Sequence, residues 1–438
     1  MRSMNRRQML ASSAVLAAGV YTFPSSVVRA AGPNEKLNIA CVGVGGKGAS
    51  DMQETGVGNN IVAVCDVDEA TLAKAAAAYP QAKRYIDWRK LLEQNDIDAV
   101  TVSTPDHMHA PITMSALELG KHVYCQKPLC HSIHEARQLT LAAARKGVVT
   151  QMGIQHHSSP RFKTAQRLIR EGIIGKVRAA HVWTDRPGTY WTQGFDRPTG
   201  SDPVPQGVHW DLWLGVAPER PFKANTYHPF RWRAFWDFGT GAMGDMGCHG
   251  MDPVVSSLEL GAPLKVSAEC SGLNDDTGPA WSVQHHEFAG TAHTTERFHM
   301  TWYDGGKRPP AELFGEGKYH EWLNGVLFLG DKGSLVVDYE NLPVLLPTGK
   351  FADHKIVAEP EDNHYQQWTE ACKGNGKTST PFSYSGPLTE TVLLGNVAIR
   401  TGKTIEWDSE NLKAKGLPAA DPWIRREYRA GWKVPGLS

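Results

Sequence analysis

The sequence predicts a two-domain chain of mixed α/β and α+β class: an N-terminal doubly wound parallel sheet, then a domain built on a large, open, mostly antiparallel sheet. Three observations predict it. Between Leu37 and about Gln155, short β-branched runs alternate with helical stretches, as parallel strands joined by crossover helices require. After Gln155 the texture changes to a stretch rich in Trp, Gly and Pro, followed by alternating strands between turn residues. The length of 438 residues, at roughly 150 residues per domain, is enough for two or three separate cores.

Taken in order, the strand candidates of the first domain are Leu37 to Val42, Ile61 to Cys65, Ala99 to Ser103, His122 to Cys125 and Val148 to Met152. Asp87 can cap a helix from Trp88, and Ser132-Ile133-His134-Glu135 is a capping box opening a helix to Lys146. A helix from Arg161 to Glu171 follows. The strands Val283 to Phe288, Arg297 to Tyr303, Val326 to Leu329 and Ser334 to Val337 are antiparallel candidates, the last two joined through Gly330-Asp331-Lys332-Gly333. Helical runs at His364 to Cys372 and Leu388 to Arg400 are expected to pack back on the first domain. The predicted boundaries are an export segment at 1–30, the first domain at 36–155 and the second at 156–438.

Composition narrows the function classes. Lys plus Arg and Asp plus Glu both number 46, 41% of residues are hydrophobic and 21% are charged, which is ordinary for a globular chain and argues against disorder. At the N-terminus, Arg6 and Arg7 precede an apolar stretch from Ala11 to Val20 and the small-residue site Val28-Arg29-Ala30-Ala31. This reads as a twin-arginine export signal, with a run of about ten apolar residues where a spanning helix needs about twenty. Its removal after Ala30 would leave a mildly acidic chain with no preference for nucleic acid or anionic lipid and no membrane anchor. An exported, periplasmic location is the expectation. The seven cysteines contain no Cys-x-x-Cys and several lie in apolar strands, so they read mainly as buried small hydrophobes.

Directly after the first strand stands Gly43-Val44-Gly45-Gly46-Lys47-Gly48, a G-x-G-x-x-G pattern opening a helix. Gly43 permits a tight turn, Gly45 lets the backbone approach a pyrophosphate, and Gly48 lets the helix pack close to the strand. Gly46 and Lys47 complete the turn, the helix N-terminus offers free N–H groups to phosphate, and Lys47 can add a neutralising charge. The next strand ends at Asp66, positioned to accept hydrogen bonds from the adenosine ribose and to repel a 2′-phosphate. The pattern is that of a Rossmann domain binding NAD, in preference to NADP.

Two further motifs follow at strand ends: Ser103-Thr104-Pro105-Asp106-His107-Met108-His109 and Tyr124-Cys125-Gln126-Lys127-Pro128-Leu129. With these, with Gly241 to Asp252 and with the hairpin at Gly330, the sequence resembles the Gfo/Idh/MocA family, the relatives of glucose-fructose oxidoreductase and inositol dehydrogenase. The resemblance implies a nicotinamide-dependent oxidoreductase acting on a hydroxyl of a sugar, polyol or related compound. It places cofactor contacts at Ser103, Thr104, Pro105, His109, Gln126 and Lys127, and implies a homo-oligomer formed through the open sheet. Gln126 stands where the family's Glu-Lys-Pro motif has glutamate, and Asp106 where its Thr-Pro-Asn motif has asparagine; neither change removes a proton-transfer group.

Oxidising a secondary alcohol moves a hydride to the nicotinamide and a proton to a base. His249 is the candidate base, and Asp245, four residues earlier, would share its face on a helix. By resemblance these form the family's Asp-x-x-x-His pair, with Lys127 placing an ammonium beside the oxygen where charge develops. Glycines recur every third residue from Gly241 to Gly250 and Pro253 follows, too many breakers for a stable isolated helix; close approach to the nicotinamide would explain them.

Six of the fourteen tryptophans lie between Trp183 and Trp236. Flat apolar rings among hydrogen-bonding side chains suit a carbohydrate, and the candidate substrate contacts are Gln155, Trp183, Arg186, Trp191, Trp232 and Arg233. The adjacent pairs His156-His157 and His285-His286 are poorly placed for one ion and no Cys/His spacing points to zinc, so no metal is expected. Free NAD is scarce outside the cytoplasm, so an exported dehydrogenase is expected to hold its cofactor tightly and regenerate it with a second substrate. The same parts would also serve a redox-neutral glycosidase or lyase working by transient oxidation, or a sugar or nucleotide sensor without catalysis.

Overall fold

The computed structural model describes residues 36–438 apart from Thr189, so the twin-arginine segment lies outside the described residues. Six parallel strands form the first sheet: β1 (Asn38–Val42), β2 (Asn60–Cys65), β3 (Lys83–Tyr85), β4 (Ala99–Val102), β5 (His122–Gln126) and β6 (Thr150–Gly153). Their order is β3-β2-β1-β4-β5-β6, which reverses direction between β1 and β4. In such sheets the crevice beyond the carboxyl ends of the strands at this switch point is the ligand site. Strands β1, β4 and β5 are buried on both faces apart from Asn38, which explains their near-continuous apolar sequences.

The crossover helices include α1 (Lys47–Thr55), α2 (Glu69–Ala78), α3 (Asp106–Glu118) and α4 (Ile133–Lys146). Asp68 caps α2 through Ala70 and Thr71, and the Ser132 and Glu135 capping box opens α4.

The second sheet has nine strands. After α5 (Pro160–Arg170) come β7 (Val177–Trp183), α6 (Gly241–Leu258), β8 (Lys265–Cys270), β9 (Ser282–Ala289), β10 (Thr294–Tyr303), β11 (Gly325–Gly330), β12 (Ser334–Val337) and β13 (Val344–Leu346). The chain then forms α7 (His364–Cys372), α8 (Phe382–Thr401), β14 (Ile405–Asp408) and β15 (Lys413–Ala414). The order is β13-β12-β11-β7-β10-β9-β8-β14-β15, antiparallel except for the β7–β10 pair.

The glycine-rich segment is one continuous helix, α6, with Pro253 inside it. Gly247 and Gly250 serve packing against other elements of the protein. A Cβ on Gly250 would lie 2.6 Å from Val182 on β7, and one on Gly247 would lie 3.0 Å from Val392 on α8. Tertiary contact therefore overrides the poor helix propensity of glycine.

Both late helices lie against the first domain. Trp368 and Cys372 of α7 join the core containing Val44, Met52 and Tyr124. On α8, Glu390 takes a two-pronged ion pair from Arg137 of α4, with both bonds at 2.8 Å. Six of the seven cysteines are buried and all seven are free thiols. Among the described residues no helix is long and apolar enough to cross a membrane.

Candidate active site

The turn after β1 is built to admit a diphosphate. Gly43 has φ +76°, and a Cβ there would sit 2.7 Å from the Ser103 carbonyl oxygen; a Cβ on Gly48 would sit 1.9 Å from the Gly43 oxygen. Gly45 approaches the Thr71 methyl, while Gly46 at φ +51° has open space around it. No side chain caps α1; its Gly48 and Ala49 N–H groups donate instead to the Gly45 and Gly46 oxygens, at 2.9 and 3.2 Å, which tightens the first turn.

Asp66, at the end of β2, accepts from the Val44 N–H and the Asp68 N–H, each at 3.0 Å. Burial pushes its carboxyl up, opposed by these two bonds. At the switch point, Thr104 Oγ1 is buried with no partner among the described residues. An open glycine turn leading into a helix without a side-chain cap, an acid one strand away and an orphaned hydroxyl together fit NAD. Asp66 would hold its adenosine ribose and the glycine turn from Gly43 to Lys47 its diphosphate.

Three of the predicted cofactor residues, Lys47, Ser103 and Gln126, surround Asp51, which the sequence reading missed. Its buried carboxylate accepts from Lys47 Nζ at 2.6 Å, Ser103 Oγ at 2.8 Å, Gln126 Nε2 at 2.8 Å and Tyr365 Oη at 2.9 Å. Lys47 is thus directed to Asp51 and also donates to Tyr365. Tyr365, from α7, stacks on Tyr124 with ring centroids 5.4 Å apart. Pro105 precedes α3, and His109 pins two loops by placing its ring nitrogens 2.8 Å from the Thr104 oxygen and 2.7 Å from the Pro128 oxygen. His109 is therefore a support of the site. Asp106 is buried and accepts from the Thr240 N–H and hydroxyl, which fixes the start of α6.

Lys127, Asp245 and His249 come together. Lys127 Nζ donates to Asp245 Oδ1 and to the Asp245 main-chain oxygen, and Arg233 Nε donates to the same Oδ1 at 3.3 Å. Burial alone would push the Asp245 carboxyl up, but Lys127 and Arg233 hold it well below the usual carboxylate range. His249 follows one helical turn later, 9% exposed. Burial, then the Lys127 charge, keeps its imidazole well below the ordinary value and hence neutral near pH 7. Its Nδ1 is buried and has no partner among the described residues. The His156 ring lies edge-on to it at 5.6 Å and stacks on Tyr339 at 4.5 Å.

The substrate contacts expected from sequence divide. Arg233 reaches the site through Asp245, packed 4.3 Å from the Trp232 ring. Gln155 donates to the Tyr124 hydroxyl at 2.8 Å, beside the Asp51 cluster. Trp183 is a correction: strand alternation sends it to the sheet face opposite α6, where it is buried against Phe314 and Leu327 and donates to the Trp322 oxygen. Trp191 and Trp232 are core residues of a second aromatic cluster, 4% and 7% exposed. Arg186 pairs with Asp185 and packs 3.7 Å over the Tyr190 ring. Among the described residues no group of three or more metal-ligating side chains could hold an ion.

Part of the tryptophan-rich excursion folds back over the first domain, an arrangement that no local pattern encodes. Asp68 and Val208 form a bridge, the Glu69 N–H donates to the Gly207 oxygen at 2.9 Å and the His209 N–H to the Val67 oxygen at 2.9 Å. His228 Nε2 lies 3.1 Å from Asp68 Oδ2. This strap closes beside Asp66, at the ribose end of the crevice.

A doubly wound domain with this turn, joined to an open-sheet domain that delivers a carboxylate and an imidazole to Lys127, defines an NAD-binding oxidoreductase architecture. Residues 37–154 match the family model described as an oxidoreductase family with an NAD-binding Rossmann fold, and residues 160–434 match its C-terminal alpha/beta domain. The chain belongs to the Gfo/Idh/MocA family.

Among curated proteins, it is similar to levoglucosan dehydrogenase of Pseudarthrobacter phenanthrenivorans, 31% identical over 26% of this chain and 29% of that one. It is also similar to inositol 2-dehydrogenase of Klebsiella pneumoniae, 32% identical over 33% of this chain and 45% of that one. These matches span less than half of either relative. Among solved structures, the WlbA dehydrogenase from Bordetella pertussis, in complex with NADH and UDP-GlcNAcA, aligns with TM-score 0.61 at 17% identity, covering 85% of this chain and 99% of that one. That likeness establishes the shared fold.

Proposed function

We propose that the protein is an NAD-dependent dehydrogenase acting on a secondary hydroxyl of a sugar, polyol or glycoside. The observation that carries this reading is the convergence of Lys127, Asp245 and a neutral His249 at the carboxyl end of β5, beside a crevice that fits NAD. NAD, when bound, supplies the hydride acceptor. His249 takes the hydroxyl proton at its imidazole, which burial keeps unprotonated and hence ready as a base. Lys127 sets an ammonium beside the oxygen as negative charge grows on it, and Asp245 fixes that ammonium by its two bonds. Arg233 supports Asp245 through its Nε at 3.3 Å from Oδ1.

Dehydrogenases of levoglucosan and inositol among the relatives, and an NADH complex of a structural neighbour, support a carbohydrate or polyol substrate. The N-terminal twin-arginine pattern supports export in the folded state with the nucleotide already bound, and the strap beside Asp66 supports tight retention. Regeneration would then need a second substrate within the same site.

The test is to purify the mature protein from an export-competent host, denature it and identify any released nucleotide. Absorbance at 340 nm is then followed with a panel of sugars and polyols. Bound NAD(H), and reduction by at least one member that is lost in Lys127→Ala and His249→Ala, is the expected result. Absence of nucleotide overturns tight retention. Turnover unchanged in both variants under saturating NAD overturns the catalytic assignment.

A further inference from the structure

A second cavity, of about 220 Å³, lies away from the catalytic groups, between α8, the loop before α6 and the C-terminal segment around Trp423. Its lining carries an unusual set of unmade hydrogen bonds. Arg400 Nη1, Arg426 Nη1 and Trp236 Nε1 are each buried with no partner among the described residues, and all three are donors. Unmade bonds on buried polar atoms are costly, more so when the group is charged. The Arg400 side chain is 9% exposed, and its guanidinium lies 3.8 Å from the Trp423 ring and 5.2 Å from the Trp236 ring.

The nearby carboxylates are mostly committed to other partners or held at the edge of reach. Asp237 is engaged by Arg197 at 2.6 Å and Arg220 at 2.8 Å, and Asp276 by Arg197 at 3.0 Å. Asp275 is fully exposed and reaches Arg400 only at 3.8 Å. Glu427 is an exposed residue of the lining. Arg426 meets the Asp237 main-chain oxygen only at 3.5 Å. The neighbouring His131 is held well below its ordinary value by burial and then by the Arg426 charge.

We propose that this cavity is a binding site for a small oxyanion, a carboxylate or phosphate group, seated between Arg400 and Arg426 with the Trp236 indole as a third donor. The two guanidiniums and the indole N–H are all donors, and of the lining carboxylates Asp237 is already taken by Arg197 and Arg220 while Glu427 is exposed, which favours a ligand rich in acceptors. The volume admits inorganic phosphate or a carboxylate of a few carbons. Thr240, in the same lining, is the residue from which α6 starts, and its carbonyl accepts from Asn396 of the cavity at 2.8 Å.

The test titrates the full mature chain with sodium phosphate, acetate and gluconate, with sodium chloride at matched ionic strength as the control. Calorimetry and tryptophan fluorescence are the readouts, the latter because Trp236 and Trp423 flank Arg400. The expected result is saturable binding of at least one oxyanion, weakened tenfold or more in Arg400→Gln and in Arg426→Gln, with NAD binding unchanged in both. Phosphate alone, or the carboxylates alone, distinguishes the two sources of the ligand. Responses that only track ionic strength, or saturable binding that persists in both variants, overturn the proposal. Where Arg400→Gln fails to fold, Arg426→Gln decides the matter.

Discussion

Lys127 Nζ donates to Asp245 twice, to Oδ1 at 2.8 Å and to the main-chain oxygen at 2.6 Å. One side chain from the first domain is thus fixed on both the side chain and the backbone of a helix from the second. Asp245→Asn keeps the shape and the main-chain bond but removes the charge. The expected loss in kcat is roughly a hundredfold to a thousandfold, the range for losing one preorganised electrostatic group. Circular dichroism should show the fold intact; a kcat within threefold of the parent would refute the role.

His249 titrates well below its ordinary value of 6.5 because of burial and Lys127. A base with a depressed pKa stays unprotonated as pH falls, so the acid limb of kcat/KM for oxidation should lie below pH 6.5. In His249→Gln this limb should vanish along with most of the activity. A limb centred above pH 7 in the parent would contradict the assignment.

Asp66 stands at the end of β2, where a ribose hydroxyl of bound NAD would donate. Asp66→Ser should weaken NAD binding by about 1.5–3 kcal/mol, about ten- to a hundredfold in Kd, while relaxing exclusion of NADP. Fluorescence titration with both nucleotides checks this. Equal loss for both would show that only the turn supported by Val44 and Asp68 had been disturbed.

Gln126 donates its amide to Asp51 at 2.8 Å. Gln126→Glu would set two carboxylates against each other, and like charges at that separation cannot both ionise. NAD affinity and Tm should fall at pH 8 and recover toward pH 5, and adding Asp51→Asn should restore both at pH 8. No recovery in the double variant would sink this pairing.

Burial holds His107, His286 and His364 down to about 3, against 6.5 in the ordinary imidazole. Between those values the unfolded chain binds protons that the native protein excludes, so stability rises with pH across that window and is lost as pH falls below 6.5. Calorimetry at pH 5 should show proton uptake on unfolding and a Tm below that at pH 7.5. His286→Leu should reduce that uptake, since neither nitrogen of His286 has a partner among the described residues.

What was legible in the sequence is what local chemistry encodes. The turn from Gly43 to Gly48 and the capping box at Ser132 each depend on residues a few positions apart, and both form as read. The helix Gly241–Leu258 was obscured because its stability comes from Val182 and Val392, which a propensity argument cannot see. Trp183 was misassigned because composition reports that rings are present but not which face of a strand carries them. Asp51 and Tyr365 were missed for a simpler reason: 314 residues separate them, and neither lies in a recognisable motif.

The strap from Gly207 to His228 has a kinetic consequence. A dinucleotide held beneath it would leave only as that segment opens; with opening slower than catalysis, each protein molecule would own a single hydride slot that must be emptied before it can be refilled. Double-reciprocal plots against the two alternating reactants would then be parallel, and the poorer partner would set the pace of both half-reactions.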